Sequence, residues 1–253
     1  MGLIFFFLYL PLVVLIVFSF NESKSRNIWT GFSFRWYENL FCDKEILKAL
    51  LNTIIVAVIA SILATVIGTF SSFGILKMKK WTKKLAMNIN NLPIVNPEIV
   101  TGVSFMLLFV FAYNTFGIFR PGIVTLILSH TTFCLPYVIL SVLPKLRQIN
   151  PHLYEAAQDL GCTPIRAFFK VILPDILPGI ITGMIMAFTL SLDDFVISYF
   201  TSGTAQTLPI AIYSMTRRIV SPEINALSTM LFVVVLFLLL VVNVRQSKYD
   251  KND

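Results

Sequence analysis

The stretch EAAQDLGCTPIRAFFKVILP, from Glu155 to Pro174, is a polar, helix-forming segment in a chain that is otherwise strongly apolar. Of the 253 residues, 57% are hydrophobic and 13% are charged, 23 are phenylalanine, and the mean hydropathy is +0.81. This composition is typical of a protein that crosses a membrane several times. A polar segment of this length between apolar ones indicates a part of the chain that lies outside the bilayer.

Six apolar segments are long enough, or nearly so, to cross a bilayer as helices, which takes about 20 residues each. They comprise residues 3–20, 49–75, 97–113, 121–143, 178–201 and 224–243. The first lacks the basic start and the cleavage site of a signal peptide, so we take it as a helix. We expect an all-α membrane protein with one domain, residues 1–253, in which the quoted stretch belongs to the connector 144–177.

The lysines and arginines orient these spans. Five lysines follow the second span in KMKKWTKK, and further basic residues follow the fourth and sixth spans, which puts twelve of the 20 on one side. The loop 21–48 on the other side holds five, nearly balanced by four acids. By the positive-inside rule, the quoted stretch and both termini are cytoplasmic. The net charge of +7 is therefore read as a topology signal, not as a nucleic-acid surface.

The sequence offers little for catalysis or metal binding. Cys42, Cys134 and Cys162 share no metal-ligand spacing and lie in different segments. There are two histidines, His130 and His152, and neither an HExxH nor a GxSxG motif. We interpret His130 as a polar residue that bonds across the helix bundle. The chain is expected not to be an enzyme.

Helix starts are recognisable where a capping side chain precedes a proline. Asn96-Pro97, Asn150-Pro151, Thr163-Pro164 and Ser221-Pro222 all have this form. Two of these starts divide the connector into two short amphipathic helices, one ending near Gly161 and the other running from Pro164 toward Leu173. Such helices could lie on the bilayer surface, or they could dock a soluble partner.

The quoted stretch also resembles a family motif. Permeases of ABC importers carry an EAA loop, in which EAA is followed after three residues by Gly and after nine more by I-x-L-P. This chain has Glu155-Ala156-Ala157, Gly161 and then VILP ending at Pro174, with Val171 in place of Ile. The segments 47–69, 191–215 and 221–230 extend the likeness, which is to MetI-like permeases and within them to the PotC-type permeases of spermidine/putrescine importers.

The resemblance implies a six-helix permease subunit of a bacterial inner-membrane importer. Its partners would be an ABC ATPase dimer, a second permease of the PotB type and an extracytoplasmic polyamine-binding protein. ATP and magnesium would be bound by the ATPase, because this chain has no GxxxxGK[ST] phosphate loop and is expected to bind no cofactor itself. The residues implied in ATPase coupling are Glu155, Ala156, Ala157, Asp159, Gly161 and Pro174.

The substrate route is predicted from intramembrane acids, which are costly unless they serve a purpose. Asp193 and Asp194 are the main candidates, and SLDDF could mark a helix break there. Glu98 is a rival, although a helix start would also explain it. Phe195, Tyr199 and Tyr213 could line a cation path. Another cation, ferric iron or an anion remains an alternative substrate, and a secondary transporter is an alternative class.

Overall fold

The computed structural model describes residues 2–23, 28–217 and 223–249, and their regular structure is helical apart from one antiparallel bridge between Asn21 and Phe32. A short π-helical turn comprises Phe168–Ile172. The helices are α1 (Gly2–Ser19), α2 (Arg35–Cys42), α3 (Lys44–Lys77), α4 (Lys80–Val95), α5 (Glu98–Phe116), α6 (Ile123–Gln148), α7 (Pro151–Asp159), α8 (Pro164–Ala167), α9 (Leu173–Asp193), α10 (Val196–Thr201), α11 (Leu208–Arg217) and α12 (Glu223–Tyr249). The predicted all-α class is confirmed.

Five helical segments in the described part of the chain are long and apolar enough to cross a membrane. They are Gly2–Ser19, Lys44–Lys77, Glu98–Phe116, Ile123–Gln148 and the continuous segment Pro164–Asp193. The sixth predicted span, 224–243, falls on α12, which is apolar over Glu223–Phe237. That α12 also crosses the membrane stays a prediction.

The helices form two compact units, one from residues 1–53 and 205–244 and the other from 54–204 and 245–253. In the first unit, Trp36 and Leu40 of α2 are buried together with Leu208 and Leu227. The Trp36 indole nitrogen donates to the backbone oxygen of Asn21 at 2.6 Å. Burial of the apolar side chains stabilises this unit, and the hydrogen bond satisfies the polar end of the indole.

The second unit is built on α6, which packs along α9. Glycines allow this close approach, because a Cβ at Gly183 would lie 3.2 Å from the Val138 Cα, and one at Gly179 would lie 2.9 Å from the Ser141 backbone oxygen. Small residues at helix interfaces are typical of membrane proteins, where packing rather than water exclusion holds helices together. The apolar centre of this unit includes Val138, Val142, Ile176 and Ala187.

The two helix starts within the connector 144–177 are confirmed. The side chain of Asn150 accepts a hydrogen bond from the amide of His152, and that of Thr163 accepts one from the amide of Arg166. The end predicted for the second helix is wrong, because the chain continues without a break through the π-helical turn into α9. Leu173 and Pro174 therefore begin α9 within this continuous segment.

The start predicted at Asn96-Pro97 differs in detail. Helix α5 begins at Glu98 without a side-chain cap from Asn96, whose side-chain nitrogen instead donates to the Thr101 hydroxyl at 3.2 Å. Residues 80–95, which lie outside the six predicted spans, form α4, whose Ala86 and Met87 pack against Ile139 and Leu143. The lysines and asparagines of α4 lower its mean hydropathy, although one face of this helix packs against α6. Ser221-Pro222 lies outside the described residues.

Candidate functional site

The predicted break at SLDDF is present in the fifth span. Helix α9 ends at Asp193, Asp194 is extended with φ −64° and ψ 120°, and α10 begins at Val196. Broken helices deep in a membrane protein leave backbone groups and side chains available for a solute, and they recur at transporter binding sites. The two aspartates of this sequence therefore stand at a candidate site.

The break gives Asp193 and Asp194 different surroundings. Asp194 is buried, and its side chain is 4% exposed. Its carboxylate accepts hydrogen bonds from the amides of Ile197, at 3.3 Å, and Ser198, at 2.8 Å, and thus caps α10. Asp193 is exposed on the other side of the break. Of the two aspartates, Asp193 alone has an exposed side chain.

A second helix break lies beside the first. Helices α4 and α5 are separated by Asn96 and Pro97, and α5 packs against α10. A Cβ at Gly102 would lie 3.4 Å from the Val196 backbone oxygen and 3.5 Å from the Ile197 Cα. One turn before Gly102, the exposed Glu98 is near enough to Asp193 for their carboxylates to interact electrostatically. The structure therefore brings together two of the predicted site residues from separate spans.

Two like charges close together repel one another, and a cation between them relieves the repulsion. The carboxyl ends of α4, at Val95, and of α9, at Asp193, add partial negative charge, while the amino ends of α5, at Glu98, and of α10, at Val196, add partial positive charge. The ionised side chains of Asp193 and Glu98 leave the site acidic.

Of the predicted aromatic residues, Phe195 and Tyr199 contact each other, with ring centroids 5.5 Å apart, and Tyr199 is 49% exposed. They lie on the same side of the break as α10. Tyr213 belongs to α11, in the other compact unit, where the Arg217 guanidinium stands 5.1 Å from the centre of its ring.

The prediction that His130 bonds across the helix bundle is confirmed, although its position at the break was not predicted. The histidine belongs to α6 and bonds to Ser191 and Ser198, on either side of the break in the fifth span. These partners lie 61 and 68 residues away. A histidine within an apolar span was the available signal, because buried polar side chains need partners.

The predicted coupling residues lie on and around α7. Glu155 is exposed, with its carboxylate 3.2 Å from the His152 ring, and Ala157 is buried. Gly161 has φ +84°, and the amides of Gly161 and Cys162 donate to the carbonyls of Gln158 and Ala157. This is the Schellman arrangement, which ends a helix with a left-handed glycine as the sequence predicted.

Several apolar side chains in and after α7 are exposed. Leu153 is 45% exposed, Leu160 87% and Ile165 71%. Exposed apolar side chains grouped in this way mark contact surfaces. The site residues Asp159 and Pro174 are also exposed.

The sequence matches a known family. The profile described as "Binding-protein-dependent transport system inner membrane component" matches residues 64–251. The putrescine transport system permease protein PotI of Escherichia coli (strain K12) is 40% identical over 231 residues, covering 90% of this chain and 82% of that protein. The spermidine/putrescine transport system permease protein PotC of the same strain is 36% identical over 241 residues, covering 95% and 89%.

Solved structures share the fold. A chain of a bacterial ABC transporter involved in the import of the acidic polysaccharide alginate aligns with a TM-score of 0.74 at 19% identity, covering 98% of this chain and 92% of that one. A chain of the MetNI methionine ABC transporter aligns with a TM-score of 0.64 at 18% identity, covering 80% and 95%. The chain is thus a multi-pass permease of the family of binding-protein-dependent transport system inner membrane components.

Proposed function

We propose that this chain is the permease subunit of an ATP-driven importer of polyamines of the putrescine and spermidine type. The observation that carries the proposal is the 40% identity to a putrescine permease over nearly the whole chain. The neighbouring carboxylates of Glu98 and Asp193 support it, because their negative charge would attract the ammonium groups of a polyamine.

In this proposal, Asp193 and Glu98 receive ammonium groups on their way through the membrane, and the aromatic faces of Phe195 and Tyr199 border the route. The helix α7 docks on a partner ATPase, which binds ATP and magnesium. Closure of the ATPase dimer then moves the permease between its outward and inward forms. A second permease of the PotB type and an extracytoplasmic polyamine-binding protein complete the importer.

The test is uptake of labelled putrescine by proteoliposomes that hold the complete transporter with its binding protein. We expect uptake to require ATP, and we expect Asp193→Asn and Glu98→Gln each to raise the KM for putrescine by about tenfold or more, since each removes one ion-pair partner. Glu38→Gln, an exposed acid of α2, is the matched control.

Three results would contradict the proposal. Uptake by vesicles that contain this chain without an ATPase would favour a secondary transporter. Failure of putrescine and spermidine to compete with another solute that is imported would assign a different substrate. An unchanged KM in both acid variants, with the complex intact, would remove Asp193 and Glu98 from the route.

A further inference from the structure

His130 connects the two halves of the fifth span. Its side chain is 2% exposed, with Nδ1 2.7 Å from the Ser191 hydroxyl on α9 and Nε2 2.9 Å from the Ser198 hydroxyl on α10. Serine hydroxyls can donate or accept, so either tautomer of the imidazole satisfies both contacts. The imidazole of His130 therefore holds the end of α9 and the start of α10 in a fixed relative position.

Asp194 completes this arrangement from within the break. One of its carboxylate oxygens lies 3.5 Å from the His130 Nε2, and the carboxylate accepts the two amide bonds that cap α10. The carboxylate is therefore turned into the protein, where its hydrogen bonds go to the backbone and His130 lies beside it. A solute in the path would meet Asp193 instead.

Two further contacts hold α10 in place. The Thr125 hydroxyl, at the start of α6, donates to the Thr201 backbone oxygen at 2.8 Å. Gly102 of α5 lies against Val196 and Ile197, where a side chain would collide with Phe200. Helix α10 is thus fixed at its first turn, along one face and at its last residue.

We infer that His130, Asp194, Ser191 and Ser198 form a latch that keeps the fifth span broken and presents Asp193, but not Asp194, to the substrate. Asp194 and His130 are positioning residues in this scheme. Adjacent residues of an unbroken helix point about 100° apart, so the direction of Asp193 depends on where the helix stops. The effect of the latch on uptake rests on the proposed function, whereas the geometry of the latch does not.

The first experiment separates charge from hydrogen bonding. In the complete transporter, Asp194→Asn keeps an oxygen that can cap α10, so we expect it to raise the KM for putrescine less than about threefold, whereas Asp193→Asn raises it about tenfold or more. His130→Gln, which retains a donor and an acceptor, should transport better than His130→Leu. An Asp194→Asn variant as impaired in KM as Asp193→Asn would overturn the inference, because Asp194 would then contact the substrate.

The second experiment needs no substrate. In a complex whose Cys42, Cys134 and Cys162 are replaced, Asp193→Cys should react with a water-soluble thiol reagent. Adding His130→Leu should change the reaction rate about fivefold or more, because position 193 would turn relative to the path. Thr131→Val is the control, since its hydroxyl bonds only within α6, to the Ile127 oxygen.

If His130→Leu is not incorporated into the complex, Ser198→Ala removes a single hydroxyl of the latch and makes the same comparison. Equal rates in the latch variant and in the Thr131→Val control would overturn the inference. A wild-type complex that does not import putrescine would contradict the proposed function, while the labelling comparison would still decide whether the latch exists.

Discussion

Gly203 is the residue at which a single methyl group should do most damage. It follows α10 with φ +55°, and a Cβ would lie 2.6 Å from the Pro121 backbone oxygen. Backbone atoms cannot rotate away as a long side chain can. We therefore expect Gly203→Ala to cost about 2–4 kcal/mol of stability, from the left-handed conformation and from overpacking together.

Gly117 provides the matched control, because it has φ +69° and open space around the position of a Cβ. Gly117→Ala should cost only about 1 kcal/mol, the conformational part alone. The thermal midpoints of the two purified complexes in detergent make the comparison. Similar midpoints would show that the turn at Gly203 relaxes away from Pro121.

Asp193 and Asp194 show what a sequence leaves open at this scale. The SLDDF pattern predicted both the depth of the acids and the possibility of a break, and the break is present. The acid that faces inward, Asp194, lies against His130, a residue of another span. Contacts between residues more than 60 positions apart depend on tertiary packing, and a single sequence does not encode them in any local spacing.

At the scale of an element, α7 and its cap make the strongest case for a docking role. Glu155→Ala should change stability little, because an exposed contact to His152 contributes little. We expect the variant to assemble but to import poorly, since a charge on a docking face sets partner geometry. The measurements are ATP-driven uptake and retention of the ATPase on an affinity-tagged permease, with Glu38→Ala as control.

Gly161→Ala should impair uptake more than Glu155→Ala. A Cβ there meets open space, so the cost comes from φ +84° alone, about 1 kcal/mol, and relief of that strain would re-aim the start of α8. Gly117→Ala, with the same kind of strain far from α7 in sequence, should leave coupling intact. Normal uptake by both coupling variants, at wild-type levels in the membrane, would remove the docking role from α7.

Local signals predicted the elements well where one residue type decides the backbone. Asn150 and Thr163 were identified as caps, and Gly161 as the left-handed end of α7. No local signal indicated α4, a polar helix with one packed face that lies outside the six predicted spans. The prediction failed at Leu173, because the π-helical turn lets α8 continue into α9 despite a proline at position 174.

At the scale of the whole molecule, the orientation of the chain in the membrane stays a prediction. The basic residues place KMKKWTKK and the α7 segment on the cytoplasmic side, and the loop 21–48 outside. The chain already carries suitable probes, since Cys42 is exposed and Cys162 is partly exposed. A variant that retains only Cys42 should react with an impermeant thiol reagent from outside, and one that retains only Cys162 should react from the cytoplasm.

Lys248→Cys, in the last turn of α12, extends this test to the number of spans. If α12 crosses the membrane, this probe reacts from the same side as Cys162, because six crossings return the chain to its starting side. If α12 does not cross, it reacts from the side of Cys42. If Cys42 reacts from the cytoplasm and Cys162 from outside, α7 is out of reach of any cytoplasmic ATPase. A single labelling series therefore tests the topology, the sixth span and the access of α7 to its proposed partner.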